Sequence, residues 1–200
     1  MDYIVCALPA NALSKVIDDL TLGALLSKIE YVDVIVVNLV YSGKHILNPG
    51  FGFLVPQTES KNTSIIGVVF DSCSMPSQDM DQDVTRLTVM MGGHSFERTF
   101  GNDKNLSETY MLQTAMDGVK KYLGIDQSNL KHHIVSVQRQ CIPQYKIGHK
   151  ERIDSIMQSA NDLGYISLVG ASYKGVSIND IINNSKLTAD HISQINKSRS

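Results

Sequence analysis

Two hundred residues leave room for one ordinary domain or for parts of two, and 42% apolar against 19% charged residues supply a core and exclude a disordered chain. A net charge of -2 excludes a chain built to hold nucleic acid mainly by electrostatics. No uninterrupted apolar run approaches the roughly 18 to 20 residues of a membrane helix. Three cysteines, Cys6, Cys73 and Cys141, are odd in number and far apart. That pattern points to buried thiols in a reducing compartment, not to a disulfide framework or a zinc site. The opening MDYIVCALPA is too short in its apolar stretch, and lacks the basic flank, to read as a signal peptide.

In chain order, residues 3–8 have the composition of a short buried strand that stops at Pro9, and a helical pattern follows over 10–20. Residues 31–41 (YVDVIVVNLVY) form a Val- and Ile-dense strand in which Asn38 interrupts the apolar run. A brief strand over 51–55 lies between Pro49-Gly50 and Pro56. Residues 64–72 and 84–91 read as two further strands, joined by a polar connection over 73–83. A helix over 106–123 places Leu112, Ala115, Met116, Val119 and Leu123 at helical spacing, with Asn105 and Glu108 spaced as a capping box and Gly124 as its stop. Residues 133–140 alternate less cleanly as a strand. A helix over 149–163 groups Ile153, Ile156, Met157 and Ala160 on one face before Gly164, and 165–169 is a brief strand. A last helix over 179–195 carries Ile181, Ile182, Ala189 and Ile192 unevenly, and the tail from Asn196 is expected to fray. The chain is therefore mixed α and β, with its strands concentrated in the first half.

Few residues advertise chemistry. Gly50-Phe51-Gly52-Phe53-Leu54-Val55-Pro56 has glycines spaced like a dinucleotide loop, but no helix follows and Pro56 takes the third glycine's place. The glycines read instead as close backbone approach, with Phe51 and Leu54 giving apolar surface. Gly92-Gly93 after Met90-Met91 reads as a turn with core methionines, or as an apolar wall for a large flat ligand. His132 and His133 are adjacent on a strand and point to opposite faces, so they do not share a metal. Over residues 168–180 (LVGASYKGVSIND) a strand runs through Gly170 and Gly175 into a helix opening near Ile178-Asn179. Such a turn aims backbone N–H groups and partial positive charge at whatever precedes the helix. An electron-accepting flavin ring is one suitable occupant. No triad, carboxylate pair or metal cluster is visible, so no catalytic residue is assigned.

Four segments taken together resemble the C-terminal part of the oxygen-dependent protoporphyrinogen oxidase family, within the flavin amine-oxidase-like superfamily. They are residues 4–10 (IVCALPA), 50–56 (GFGFLVP), 141–149 (CIPQYKIGH) and 170–180 (GASYKGVSIND). The intervening IGVVFDS at 66–72 and TVMMGG at 88–93 follow the same family's pattern, and the resemblance runs from residue 2 to about 190.

The resemblance implies an α/β, FAD-binding amine-oxidase-like fold. Residues 1–15 and 164–195 would belong to the FAD domain, the latter giving its last strand and helix, and residues 25–145 to a mixed-sheet substrate domain. The family's N-terminal dinucleotide-binding unit and membrane-binding helical insert have no counterpart here, which gives the chain the look of a C-terminal fragment, inactive and weak in FAD binding by itself. On the same resemblance Val176, Ser177 and Ile178 contact the flavin, as does position 150, where the family often has tryptophan and this chain has Lys150. Phe51, Gly52, Leu54, Met90 and Met75 match positions lining the tetrapyrrole pocket. The implied reaction is oxidation of protoporphyrinogen IX to protoporphyrin IX in porphyrin (haem) biosynthesis, with dioxygen as acceptor and hydrogen peroxide as product. A homodimer seated peripherally on the mitochondrial inner membrane is implied for the whole enzyme. Another amine-oxidase-like desaturase, or a non-catalytic fragment that keeps a pocket wall, are the alternative readings.

Overall fold

Period-two alternation of apolar residues makes a strand bury one face, and two long segments with that alternation sit at the centre of the larger sheet. The computed structural model describes residues 3–199 apart from 60, 80–82 and 102–105, with side chains described to residue 194. Its elements are β1 (Ile4–Cys6), α1 (Ala10–Leu13), α2 (Leu20–Leu26), β2 (Tyr31–Ser42), β3 (Gly52–Leu54), β4 (Ile65–Phe70), α3 (Asp71–Ser74), β5 (Val84–Gly92), α4 (Phe96–Phe100), α5 (Glu108–Leu123), β6 (Leu130–Pro143), α6 (His149–Leu163), β7 (Ile166–Leu168) and α7 (Ile178–Arg199). They group into two compact units, Met1–Tyr31 with Ile142–Ser200, and Val32–Cys141. Of the ranges expected for a substrate domain, residues 25–31 and 142–145 fall in the first unit.

The second unit holds a five-stranded sheet in the order β3-β4-β5-β2-β6. β2 and β4 both pair antiparallel with β5, and β3 pairs antiparallel with β4. Ile35, Val37, Leu39 and Tyr41 of β2, Val68 and Phe70 of β4, and Leu87, Val89 and Met91 of β5 all bury on one face. Met111, Ala115 and Val119 of α5 belong to the same cluster. Each large aliphatic side chain so buried contributes about 1.5–3 kcal/mol relative to exposure. Gly118 makes room at this contact, since a Cβ there would stand 1.7 Å from Ile65 Cδ1 and the Ile65 side chain would have to turn aside. The buried stripe of α5 is thus Met111, Ala115, Gly118 and Val119, and the expected Met116 is only half-buried.

In the first unit β1 and β7 pair in parallel, Ile4 opposite Ile166 and Cys6 opposite Leu168. Ile153, Ile156 and Ala160 of α6 pack with Leu22 and Leu26 of α2, Leu13 of α1, and Ile166 and Leu168 of β7. The face predicted for α6 is the face it buries.

Several expectations are corrected. β1 is not a buried strand, because Ile4 and Val5 are exposed; a two-stranded sheet leaves both strands at an edge. The helix predicted over 10–20 ends at Leu13, and a separate α2 begins after Asp19, whose carboxylate accepts from the Leu22 amide at 2.7 Å. Aspartate competes for backbone N–H groups and so starts a helix more readily than it continues one. Asn105, half of the expected capping box, lies outside the described residues; Ser107 caps α5 by accepting from the Tyr110 amide. α7 continues past the expected end to Arg199. Among the cysteines Cys6 is buried, Cys73 half-buried and Cys141 exposed, so buried thiols hold for the first alone.

Candidate functional site

Alternation on the sheet of the second unit leaves a face opposite the core. The register aligns Leu54, Gly67, Met90 and Val36 in one row across β3, β4, β5 and β2. The next row is Gly52, Val69, Thr88 and Asn38. Leu54 is 81% exposed and Met90 37% exposed. Leu54 lies over Gly67, where any Cβ would come within 2.9 Å of Leu54 Cδ2. Its neighbours Phe53 and Val55 instead pack against the core, Phe53 edge-on to Phe70. Alternation along GFGFLVP therefore separates a core pair from an apolar surface residue.

Gly52 has φ +148°, and a Cβ there would lie 2.1 Å from the Val68 carbonyl oxygen. This glycine lets β3 come close against β4 and leaves Phe51, 75% exposed, at the strand's mouth, where its carbonyl accepts from the Phe70 amide at 2.9 Å. Met75 follows α3 at the same end of the sheet, and its carbonyl accepts from the Arg86 guanidinium at 2.9 Å. Arg86, which also pairs with Asp79, lies on the open face two residues before Thr88. Gly52, Leu54 and Met90 therefore share one open face, while Phe51 precedes β3 opposite Phe70 and is not aligned with that row, and Arg86 ties the Met75 backbone to the rim. The two methionines of Met90-Met91 divide, Met91 in the core and Met90 on the open face.

The first unit gathers the other three resembling segments apart from Cys141, which ends the second unit. Tyr145 donates to the Ala171 carbonyl at 2.6 Å and accepts from the Gly175 amide at 2.8 Å. Its ring stacks on His149 with centroids 3.8 Å apart. His149 Nε2 donates to the Tyr173 carbonyl at 2.9 Å, and Asn184 of α7 donates to the Lys174 carbonyl at 3.1 Å. Ser172 Oγ, Tyr31 hydroxyl and the Ala10 amide meet within 2.7–3.0 Å. The loop 170–177 is thus held from four sides. Burial raises the Tyr145 phenol above its ordinary value, and the Gly175 amide, which favours the phenolate, offsets only part of this.

At the loop's end Ser177 caps α7, accepting from the Asp180 amide at 3.1 Å and donating to the Asp180 carboxylate at 2.6 Å. The first intrahelical donor is Ile181, to the Ser177 carbonyl, so the N–H groups of Ile178 and Asn179 face the space before the helix. Asp180 packs against Gly175, φ +136°, at the same terminus. Its charge offsets part of the positive end that the sequence suggested for this helix. Val176, Ser177 and Ile178 are exposed here, and Lys150 is exposed in the first turn of α6, next to His149.

The sequence reading missed Tyr145 and His149 as organisers, although a tyrosine and a histidine four apart after Pro143 could have suggested a stacked pair. It also missed a cavity of about 270 Å³ between α6, β7 and α7, lined by Met157, Leu168, Gly170, Tyr173 and His191 among others. The Tyr173 hydroxyl is buried without a partner among the described residues, and burial pushes its phenol well above the ordinary value. His132 and His133 are exposed, and His133 lies 3.7 Å from Glu108.

This chain is similar to human protoporphyrinogen oxidase, with 36% identity over 192 residues that cover 94% of the chain and 39% of the relative. Protoporphyrinogen oxidase of Dictyostelium discoideum is 33% identical over 211 residues, covering 92% of the chain and 39% of the relative. The chain thus spans about 39% of the length of these curated relatives. A crystal structure from Exiguobacterium sp. 255-15, provisionally named a protoporphyrinogen oxidase, superposes with a TM-score of 0.73 at 20% identity, over 95% of this chain and 40% of that one. That likeness shows the fold. The model of the flavin containing amine oxidoreductases matches residues 1–193, nearly end to end, and the chain belongs to that family.

Proposed function

We propose that this chain forms part of an FAD-dependent oxidase that converts protoporphyrinogen IX to protoporphyrin IX in porphyrin biosynthesis. The observation that carries the reading is the row Leu54-Gly67-Met90-Val36, an apolar strip on an open sheet face that the core does not use. A flat or saucer-shaped tetrapyrrole needs such a surface, since most of its contact area is apolar. The glycine at position 67 keeps the strip low. The relatives bearing the protoporphyrinogen oxidase name support the same substrate.

The first unit fits a flavin on its own evidence. His149 Nδ1 is buried without a partner among the described residues; with Nε2 donating to Tyr173, the neutral ring leaves Nδ1 as an acceptor for a ligand N–H or O–H. The N–H groups of Ile178 and Asn179 offer donors at the end of the pinned loop. Val176 and Ile178 would give apolar contact there, and Lys150 a cation. FAD, when bound, supplies the hydride acceptor and the route of electrons to dioxygen, giving hydrogen peroxide. The chain's own task is to orient the tetrapyrrole on the strip and to hold the flavin-side loop in one geometry. Assembly as a homodimer and peripheral seating on the mitochondrial inner membrane belong to this reading and rest on the family resemblance.

The test is fluorescence titration of the purified chain with protoporphyrin IX, the reaction's product. Saturable binding that Leu54→Arg and Met90→Arg both weaken is expected. Binding that neither substitution alters would overturn the assignment of the strip.

A further inference from the structure

The row beside the apolar strip is polar at one end. Asn38 stands directly opposite Thr88 in the β2–β5 register, two residues from Val36 and Met90 on the same face. Asn38 Nδ2 donates to Thr88 Oγ1 at 2.8 Å, and Thr88 Oγ1 donates to Asp71 Oδ2 at 2.8 Å. The direction of this chain follows from chemistry. A carboxylate only accepts, so the single hydroxyl proton of Thr88 goes to Asp71, and the Thr88 oxygen must take its other hydrogen bond from the amide nitrogen of Asn38. The amide cannot turn over without putting its oxygen against the Thr88 oxygen. Its carbonyl oxygen is therefore directed away from Thr88, with no protein partner among the described residues, on an exposed residue beside the strip.

We propose that Asn38 Oδ1 is a substrate-recognition acceptor, held in place by Thr88 and Asp71 as positioning residues, and that it takes pyrrole N–H groups of the reduced tetrapyrrole. This rests on the functional reading above and adds discrimination to it. A porphyrinogen has sp³ carbons between its rings, so it puckers and can turn its four pyrrole N–H groups toward one face. A porphyrin is planar and conjugated, and its two N–H groups point into the ring centre, where no side chain reaches. An outward acceptor next to an apolar strip therefore favours the reduced substrate over the oxidised product, and helps the product leave. A site that hydrogen-bonds a particular N–H rejects the ligand that cannot offer it, because the acceptor is then left unpaired.

The experiment compares the two ligands on the same protein under anaerobic conditions. Protoporphyrin IX is titrated by its fluorescence, and protoporphyrinogen IX by its ability to displace it. Asn38→Leu is expected to weaken porphyrinogen affinity roughly five- to tenfold while protoporphyrin affinity stays unchanged. Thr88→Val should shift the same ratio in the same direction, and Thr88→Ser should restore it, which a purely structural role of Thr88 would not do. If Asn38→Leu alters both affinities equally, or neither, the acceptor role is wrong. In that case Leu54→Arg still abolishing protoporphyrin binding would leave the functional reading standing. If Leu54→Arg leaves both ligands bound as before, the strip is not the tetrapyrrole surface and the inference falls with it.

Discussion

Replacing Tyr145 by phenylalanine removes one oxygen atom and two hydrogen bonds, to the Ala171 carbonyl and from the Gly175 amide, while the ring stack on His149 is kept. Each such bond contributes about 0.5–1.5 kcal/mol net, so their loss should lower the opening free energy of loop 170–177 by about 1–3 kcal/mol. Tyr145 is 41% exposed, and water can reach the groups left behind, which favours the lower half of that range. A loss of about 1–2 kcal/mol corresponds to roughly five- to thirtyfold faster opening. The assay is amide hydrogen exchange, read at Gly175 and across residues 170–177, with the buried amides of α6 as an internal reference. The expected result is acceleration confined to the loop, with α6 unchanged. Unchanged exchange at Gly175 would refute the claim that Tyr145 pins the loop. Equal acceleration in α6 would show instead that the hydroxyl supports the whole unit and not the loop in particular.

Gly52→Ala should destabilise the second unit by about 2–4 kcal/mol in urea unfolding, because a Cβ meets the Val68 carbonyl at φ +148°; an unchanged midpoint would mean that β3 shifts without loss. Leu54→Arg should leave the melting temperature almost unchanged, since Leu54 is largely solvent-facing, whereas Val55→Arg should lower it by several degrees by placing a charge against the core. Burial raises the Tyr41 phenol to about 12 and the Tyr173 phenol further, so both are neutral when folded at pH values where the unfolded chain ionises near 10. Their contribution is fully present below pH 10 and is lost as pH rises toward the folded values, so stability should fall in alkali and the double Tyr→Phe variant should fall less. Both hydroxyls are buried without partners among the described residues, so that variant should also be no less stable at pH 7, and a clear loss there would reveal a hidden hydrogen bond.

Most of the secondary structure was legible because burial alternates cleanly along the chain. Residues 31–41 and 84–91 match β2 and β5 to within one residue, and residues 149–163 match α6 at both ends. Gly124 and Gly164 stop α5 and α6 in the left-handed conformation that glycine adopts without strain. What the sequence could not show was the partner of each polar group. Asp33 accepts from the Gln140 amide and from the Arg139 guanidinium, each at 2.7 Å, and so supports Gln140 at φ +46° across more than a hundred residues. Tyr145 reaches the loop at Gly175 over a separation of thirty. Such bonds leave no local pattern, since neither partner changes the periodicity of its own segment. The break between α1 and α2 was different, because the cap at Asp19 lay in the sequence and apolar spacing overrode it.

Solvent exposure of an apolar side chain does not by itself mark a site. Leu20, Leu47 and Ile147 are more exposed than Leu54, yet none of them lies on a sheet row with other apolar residues. Scattered apolar residues of that kind are ordinary on a protein surface. Leu54 differs because its neighbours in register are Gly67, Met90 and Val36, so that local choices on four strands agree on one apolar row that the core does not need. The glycines agree as well: Gly52 draws β3 in, and Gly67 vacates the volume that Leu54 covers. In the first unit the same reasoning selects His149, where an unpaired Nδ1 is tolerated beside a loop held by four hydrogen bonds from Tyr145, His149 and Asn184. Buried polar atoms without a partner among the described residues also occur at Tyr41, Ser64, Ser74, Tyr122 and Tyr173, so what singles out His149 Nδ1 is its place beside the pinned loop and not the want of a partner alone. It is the coincidence of several such features in one place, the row of Leu54, Gly67, Met90 and Val36 on one unit and the pinned loop beside His149 on the other, that carries the case for a ligand surface on each.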